Sequence, residues 1–214
     1  MAKIGKIPVI LKKRLIFVII STKLCEKDLI PTMITAIFEK FQRKKQRMIL
    51  EKHPNVSVGK NLKLGINDHF ILYPKIKKLA IGDHVSLRNY LHIIVQYGAA
   101  LEIGKNVFLN NQCSITCLDK ITIGANTLFG ENVKLYDHNH SYERTENNLQ
   151  ISHSEFTTAP ISIGKNCWLG SNVVVLKGVE IGDNCIIGAG CVIHKSIPAN
   201  STVLNNQEQI LKTN

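Results

Sequence analysis

The sequence predicts an all-β domain, a parallel coil of about six stacked triangular rungs, preceded by a basic and partly helical extension. Two observations carry that expectation. A six-residue rhythm recurs from Val58 to Ile193: an aliphatic residue or Phe, usually Gly next, Asn or another turn former at the fourth place, and a small or branched residue at the fifth. The rhythm stops after Leu135, at LYDHNHSY, and resumes only at Ile161.

Composition bounds the class. The 214 residues, 44% hydrophobic and 20% charged, suffice for one sizeable core and do not require two domains. The net charge of +11 is uneven: residues 1 to 60 carry 14 Lys/Arg against 4 Asp/Glu, and the rest carry 13 against 12. The basicity belongs to the extension. Six cysteines without a CxxC pair or a cleavable signal read as reduced thiols of a cytoplasmic protein. The most apolar run, Leu15 to Ile20, is far shorter than the roughly 20 residues a bilayer span needs.

In the extension, residues 1 to 55, Pro8 to Leu24 is apolar with Lys12, Lys13 and Arg14 embedded, and Asp28 followed by Leu29, Ile30 and Pro31 reads as a helix start. Met33, Ile37, Phe41 and Met48 alternate with Arg43, Lys44, Lys45 and Arg47, which predicts an amphipathic basic helix ending near His53 and Pro54. Two readings stand: a helical cap on the coil, or an interfacial helix within residues 1 to 50 that meets anionic lipid. Nucleic acid is disfavoured, because no aromatic residues interleave with the basic ones and no reading motif follows.

From 56 to 200 the hexads dictate the coil. A period of six is neither helical nor that of a free strand, so each hexad combines a short strand with a corner. The first and fifth places point inward, and the glycine allows close approach or positive φ. Three faces make a rung, and rungs stack about 4.8 Å apart through parallel ladders. Rungs begin near Val58, Ile81, Ile103, Ile123, Ile163 and Ile181. Cys113, Cys167, Cys185 and Cys191 all occupy the small fifth place and read as core filler. No helix follows the glycines, so they are not a phosphate-binding loop.

Residues 56 to 200, most densely ISIGKNCWLGSNVVVLKGVEIGDNCIIGAGCVIHKSIP from Ile161, resemble the hexapeptide-repeat acyltransferases. Within them the chain is similar to the sugar O-acetyltransferase branch: galactoside, maltose and capsular or O-antigen enzymes. The resemblance implies a left-handed coil, against the usual right-handed crossover. It also implies acetyl-CoA as donor, no metal, and a homotrimer with active sites between subunits.

The break supplies the candidate site. Asp137, His138 and His140 precede a polar segment, read as a loop protruding over 141–160. The resemblance makes His140 the general base. An imidazole, with a reference pKa of about 6.5, can take a proton from a sugar hydroxyl as it attacks the thioester carbonyl. A backbone N–H at a coil corner can stabilise the oxyanion. His138 lies two residues away, on the same side of an extended strand, and reads as a substrate contact, an orienting partner or an alternative base. Asp137, His138 and His140 as metal ligands is a further reading, with no additional ligand cluster to support it.

The resemblance also carries Asn110 and Asp119 over as acceptor contacts beside Asp137 and His138. It places Trp168, Ser171, Ala189 and Lys195 along the acetyl-CoA groove. Trp168, the only tryptophan, stands at an outward sixth place where core filling does not explain it. The chain after Pro198, ANSTVLNNQEQILKTN, which includes the tail of residues 201 to 214, lacks the Gly-x-Pro-Ala turn and cation cluster of the family, which leaves Lys195 or Lys177 from another subunit for the adenosine 3′-phosphate. The sequence therefore points to acetyl transfer from acetyl-CoA to a hydroxyl of a surface polysaccharide or its precursor. The alternatives are N-acetylation of serine or an amino sugar, and a trimeric scaffold without catalysis.

Overall fold

The computed structural model describes residues 29–206. The apolar stretch Pro8 to Leu24, Cys25, Asp28 and the tail from residue 207 lie outside that range. The chain divides into two compact units, residues 1–41 and 42–214, and the division falls within one helix, α1, Leu29–Lys52.

In the second unit, the last turns of α1 close the first rung. Leu50 is fully buried, and Gln42 Nε2 donates to Asn67 Oδ1 at 3.1 Å. Arg43 Nε donates to the Leu64 carbonyl at 3.1 Å, and the nearly buried Gln46 donates to the Asp68 carbonyl at 3.4 Å. Asp68 Oδ1 accepts from the Leu91 N–H at 2.9 Å, while Asp68 Oδ2 and Gln46 Oε1 are buried with no partner among the described residues. Burial pushes the Asp68 carboxyl up to about 6, against the opposing pull of the Leu91 and Gly65 amides and the Arg43 charge.

The rest is a left-handed parallel β-helix of six coils with three faces. The first face stacks Val56–Val58, Lys78–Ile81, Ala100–Ile103, Lys120–Ile123, Ile161–Ile163 and Glu180–Ile181. The second stacks Ser86–Leu87, Phe108–Leu109, Leu128–Phe129, Trp168–Leu169, Ile186–Ile187 and Thr202–Val203. The third stacks His69–Leu72, His92–Val95, Ser114–Cys117, Lys134–Tyr136, Val174–Leu176 and Val192–Ile193. Register keeps each hexad's first residue in one column, as with Ile123 on Ile163 and Ile163 on Ile181, so the apolar line is continuous from coil to coil. Thr202 and Val203 complete the second face over Ile186 and Ile187.

The corners divide labour between two places of the hexad. Positive φ falls at the fourth place, at Asn61, Asn106, Asn126, Asn166 and Asn184 among others, where the short amide side chain tolerates the left-handed region. The second-place glycines are required instead by close approach. A Cβ on Gly124 would stand 2.4 Å from the backbone of Gly164 and Lys165 in the next coil. Of the two roles the sequence allowed for those glycines, only the close contact is used, because the turn's φ reversal comes two residues later.

The fourth-place asparagines also bond side chain to side chain up one edge, Asn106 to Asn126, Asn126 to Asn166, Asn166 to Asn184 and Asn184 to Asn200, at 2.9 to 3.0 Å. Inside, the first place supplies Ile103, Leu109, Ile115, Phe129, Leu135, Leu169 and Val175, and the fifth supplies Val107, Val133 and Val173, all buried. Cys113, Cys167, Cys185 and Cys191 are buried free thiols, as fifth-place filler should be. Burial pushes Cys113 up to about 11, which disfavours the reactive thiolate. The one buried hydroxyl among these places, Thr127, is satisfied: it donates to the Gly164 carbonyl and accepts from the Cys167 N–H.

Gly124→Ala is expected to lower stability by about 1–3 kcal/mol, since rigid backbone must move. Gly98→Ala, where φ is +73 but nothing lies within 4 Å, should cost only about 1 kcal/mol. Denaturant midpoints check the order. Because the Asp68 carboxyl is raised, the folded state gains relative stability as pH falls through about 6 toward the unfolded value, and loses it as pH rises. Asp68→Asn should remove that dependence, so the stability difference between the two proteins, measured by urea unfolding at pH 5 and pH 7.5, should change with pH.

Candidate active site

The site begins where a rung is interrupted. The strand Lys134–Tyr136 continues the third face, and the next residue, Asp137, turns fully inward with 0% exposure. Its carboxylate accepts from the Leu118 N–H at 2.9 and 3.0 Å and from the Asp119 N–H at 2.8 Å, one coil earlier. Those amides would otherwise be open donors, because the chain departs here instead of laying down a corner over them. Asp137 caps the unfinished coil.

From that anchor the chain runs out as an antiparallel hairpin, His138–Thr145 paired with Asn148–Thr158. The segment read as a loop is thus two strands, and its return is tied to the coil by the Ala159 N–H to the Asp137 carbonyl at 3.0 Å. Lys177, one coil further on, bonds Thr157 at the hairpin's base.

His138 and His140 fall on the same side of the outgoing strand, as the two-residue period requires, and both meet Phe156 of the returning strand. Ring centroids are 5.4 Å apart for His138 and 4.6 Å for His140. His138 is half-closed, with Nδ1 at 3.3 Å from Asp137 Oδ1 and its edge toward Tyr136. His140 is exposed, with Nδ1 at 2.9 Å from the Ser152 carbonyl. A carbonyl only accepts, so Nδ1 carries the proton and Nε2 keeps its lone pair.

The Ser152 carbonyl is available because the hairpin bulges. His140 pairs with Phe156 but Tyr142 pairs with Ile151, so residues 152–155 bow outward. The bow is held by the Ser152 hydroxyl, which accepts from the Ser154 and Glu155 N–H groups. A cleft of about 410 Å³ lined by Ser141, Tyr142, Glu143, Gln150, Ser152 and Glu155 opens beside it. Neither Phe156 nor Ser152 stood out in the sequence: a Phe in a polar segment and a backbone carbonyl carry no motif, and only the pairing register brings them to His140.

The other expected residues lie elsewhere. Asp119 stands below Asp137 at the corner between the third and first faces. Lys195 lies at that same corner, two coils beyond Asp137. Asn110, Ser171 and Ala189 share the opposite corner, between the second and third faces, where Ala189 covers Gly170 and Ser171 covers Glu131. Trp168 projects from the second face, 54% exposed, in an apolar column with Leu128 and Ile186. The third face, about five residues or roughly 16 Å wide, separates the two edges within one chain. Among the described residues no group of three or more His, Cys, Asp or Glu side chains is placed to hold a metal ion.

Comparison with known proteins finds relatives of the chain. The family model "hexapeptide repeat of succinyl-transferase" matches residues 160–195. Nodulation protein L of Rhizobium leguminosarum bv. viciae is 40% identical over 133 residues, 61% of this chain and 66% of its own length. Nodulation protein L of Rhizobium meliloti is 35% identical, over 61% of this chain and 68% of its own length. Galactoside O-acetyltransferase of Escherichia coli is 39% identical over 50% of this chain and 51% of its own. The matched region thus spans about half to two thirds of these relatives. A solved galactoside acetyltransferase in complex with coenzyme A aligns at 27% identity and TM-score 0.42, over 66% of this chain and 60% of that one. The chain belongs to the hexapeptide-repeat acetyltransferase family.

Proposed function

We propose that the protein transfers an acetyl group from acetyl-CoA to a hydroxyl of a sugar, in a surface polysaccharide or its precursor, with His140 as general base. The observation that carries this is the hydrogen bond of His140 Nδ1 to the Ser152 carbonyl, which fixes the tautomer whose Nε2 can accept a proton. In the reaction Nε2 takes the hydroxyl proton as the sugar oxygen attacks the thioester carbonyl carbon. The tetrahedral oxyanion collapses, the C–S bond breaks, and the proton on His140 passes to the departing CoA thiolate.

Asp137 and His138 are positioning residues in this reading. The buried carboxylate holds the outgoing strand to the coil, and His138 backs Phe156 against the base. Asn110 and Asp119 contact the acceptor. Trp168, Ser171 and Ala189 line the groove for acetyl-CoA, with Lys195 for its phosphate. Because the third face separates the groove edge from His140, one chain does not assemble the whole site, which supports a homotrimer whose neighbouring copies join the two edges. The galactoside enzyme among the relatives supports a sugar acceptor. We place the reaction in the cytoplasm, consistent with the five cysteines among the described residues being buried and free.

His140→Ala should lower kcat by about 10²–10⁴ with circular dichroism unchanged. His138→Ala should cost less; the opposite order would transfer the role of base to His138. Asp137→Asn places an NH₂ against one of the two N–H donors that the buried carboxylate accepts from and should lower stability by about 1–3 kcal/mol, read as a shifted urea midpoint. Thiol release from acetyl-CoA, measured across monosaccharide, oligosaccharide, lipid-linked glycan, amino-sugar and serine acceptors, tests the reaction. Release stimulated by a sugar hydroxyl supports it, stimulation only by amines replaces it with N-acetylation, and no stimulation by any acceptor leaves the scaffold reading.

A further inference from the structure

The helix α1 carries a feature that acetyl transfer does not use. Met33, Ile34, Ile37, Phe38 and Phe41 are all exposed, from 44% to 66%. At 100° per residue they fall within one arc of less than half the helix circumference, the pattern of a helix that buries one face in an apolar medium. Five large apolar side chains in three turns exceed the scattered exposure that needs no explanation.

The charges on the same helix select the medium. Lys40, Arg43, Lys44, Lys45, Arg47 and Lys52 stand against two acids, Glu39 and Glu51, and Glu51 is paired with Arg47 at 3.4 Å. A second copy would bring the same cations to the contact, and Lys44 falls where a heptad of Ile34, Ile37, Phe41 and Met48 needs an apolar residue. Self-association through this face is therefore opposed by like charge. An anionic lipid surface satisfies both halves at once: acyl chains take the apolar arc, and headgroup phosphates meet the lysine and arginine ends, whose long stems reach outward from a buried backbone. No described helix is long and apolar enough to cross a membrane, so contact through α1 is with the surface.

We propose that α1 is a peripheral membrane anchor that lies in the interface of an anionic bilayer on the face formed by Met33, Ile34, Ile37, Phe38 and Phe41. This goes beyond the transfer reaction and stands or falls without it, since its test involves no turnover.

The test is co-sedimentation of the full chain with phosphatidylcholine vesicles and with vesicles containing phosphatidylglycerol. Wild type should bind the anionic vesicles at least about tenfold more tightly than the neutral ones and lose that preference at high salt. Ile37→Glu/Phe41→Glu should weaken anionic binding by at least about tenfold while the urea midpoint and the mass in solution stay those of wild type. Lys44→Glu/Lys45→Glu should reduce the anionic preference and leave residual binding to neutral vesicles. Absent or charge-independent wild-type binding overturns the proposal. A drop in solution mass in Ile37→Glu/Phe41→Glu also overturns it, by showing that the face meets a second copy.

Discussion

The structure depends on how closely one coil can lie on the next. Parallel ladders set the spacing at about 4.8 Å, and at each corner that spacing presses backbone onto backbone. The second-place glycines exist because of this pressure: a methyl group on Gly65 would sit 2.2 Å from the Arg88 carbonyl oxygen. Two residues later the chain must reverse, and asparagine takes the positive φ at most corners, with Gly98, Gly178 and Gly190 among the others that do. The choice has a physical consequence, because an asparagine in that conformation offers its side-chain amide to the equivalent residue above and below. The corner thus turns the chain and bonds the coils with one residue type.

The same constraint explains the site. A stacked coil leaves its polar backbone groups satisfied only while every rung is complete. Where the chain departs after Tyr136, the N–H groups of Leu118 and Asp119 lose the corner that would have covered them, and a buried carboxylate replaces it. Asp137 is therefore first a structural repair. As the last coil residue before the hairpin it holds the root of the outgoing strand and contacts His138, while His140 is held by the Ser152 carbonyl. The candidate site lies where the repeat fails because there side chains are released from the alternation that assigns each residue to core or surface.

The hairpin adds a second level of positioning. Its bulge turns the Ser152 carbonyl to His140, and the Ser152 hydroxyl holds the bulge in turn. The outer faces of the coil are not equivalent either. The first face presents Glu102, Thr122, Ser162 and Glu180 outward, with Glu102 held low by its bond to Lys78. The second face presents Leu128, Trp168 and Ile186. Alternation within a strand fixes which residues face out, but their chemistry is free, and that freedom makes one side polar and leaves another suited to an apolar neighbour.

By itself the sequence determined the coil. A hexad with one aliphatic residue, one glycine and one turn former has no other way to bury its apolar line, so rung number, core columns, cysteine burial and the place of the break were all legible. The histidine pair was legible too, because a two-residue period puts His138 and His140 on one side. Tertiary structure alone decided what those residues meet. The partners of Asp137 are amides nineteen and eighteen residues away, and those of His140 come from a strand whose register depends on a bulge that no local propensity encodes. It also separated Asn110, Ser171 and Ala189 from His140 by a whole face, since adjacency in a coil follows the corner a residue occupies, not its distance along the chain.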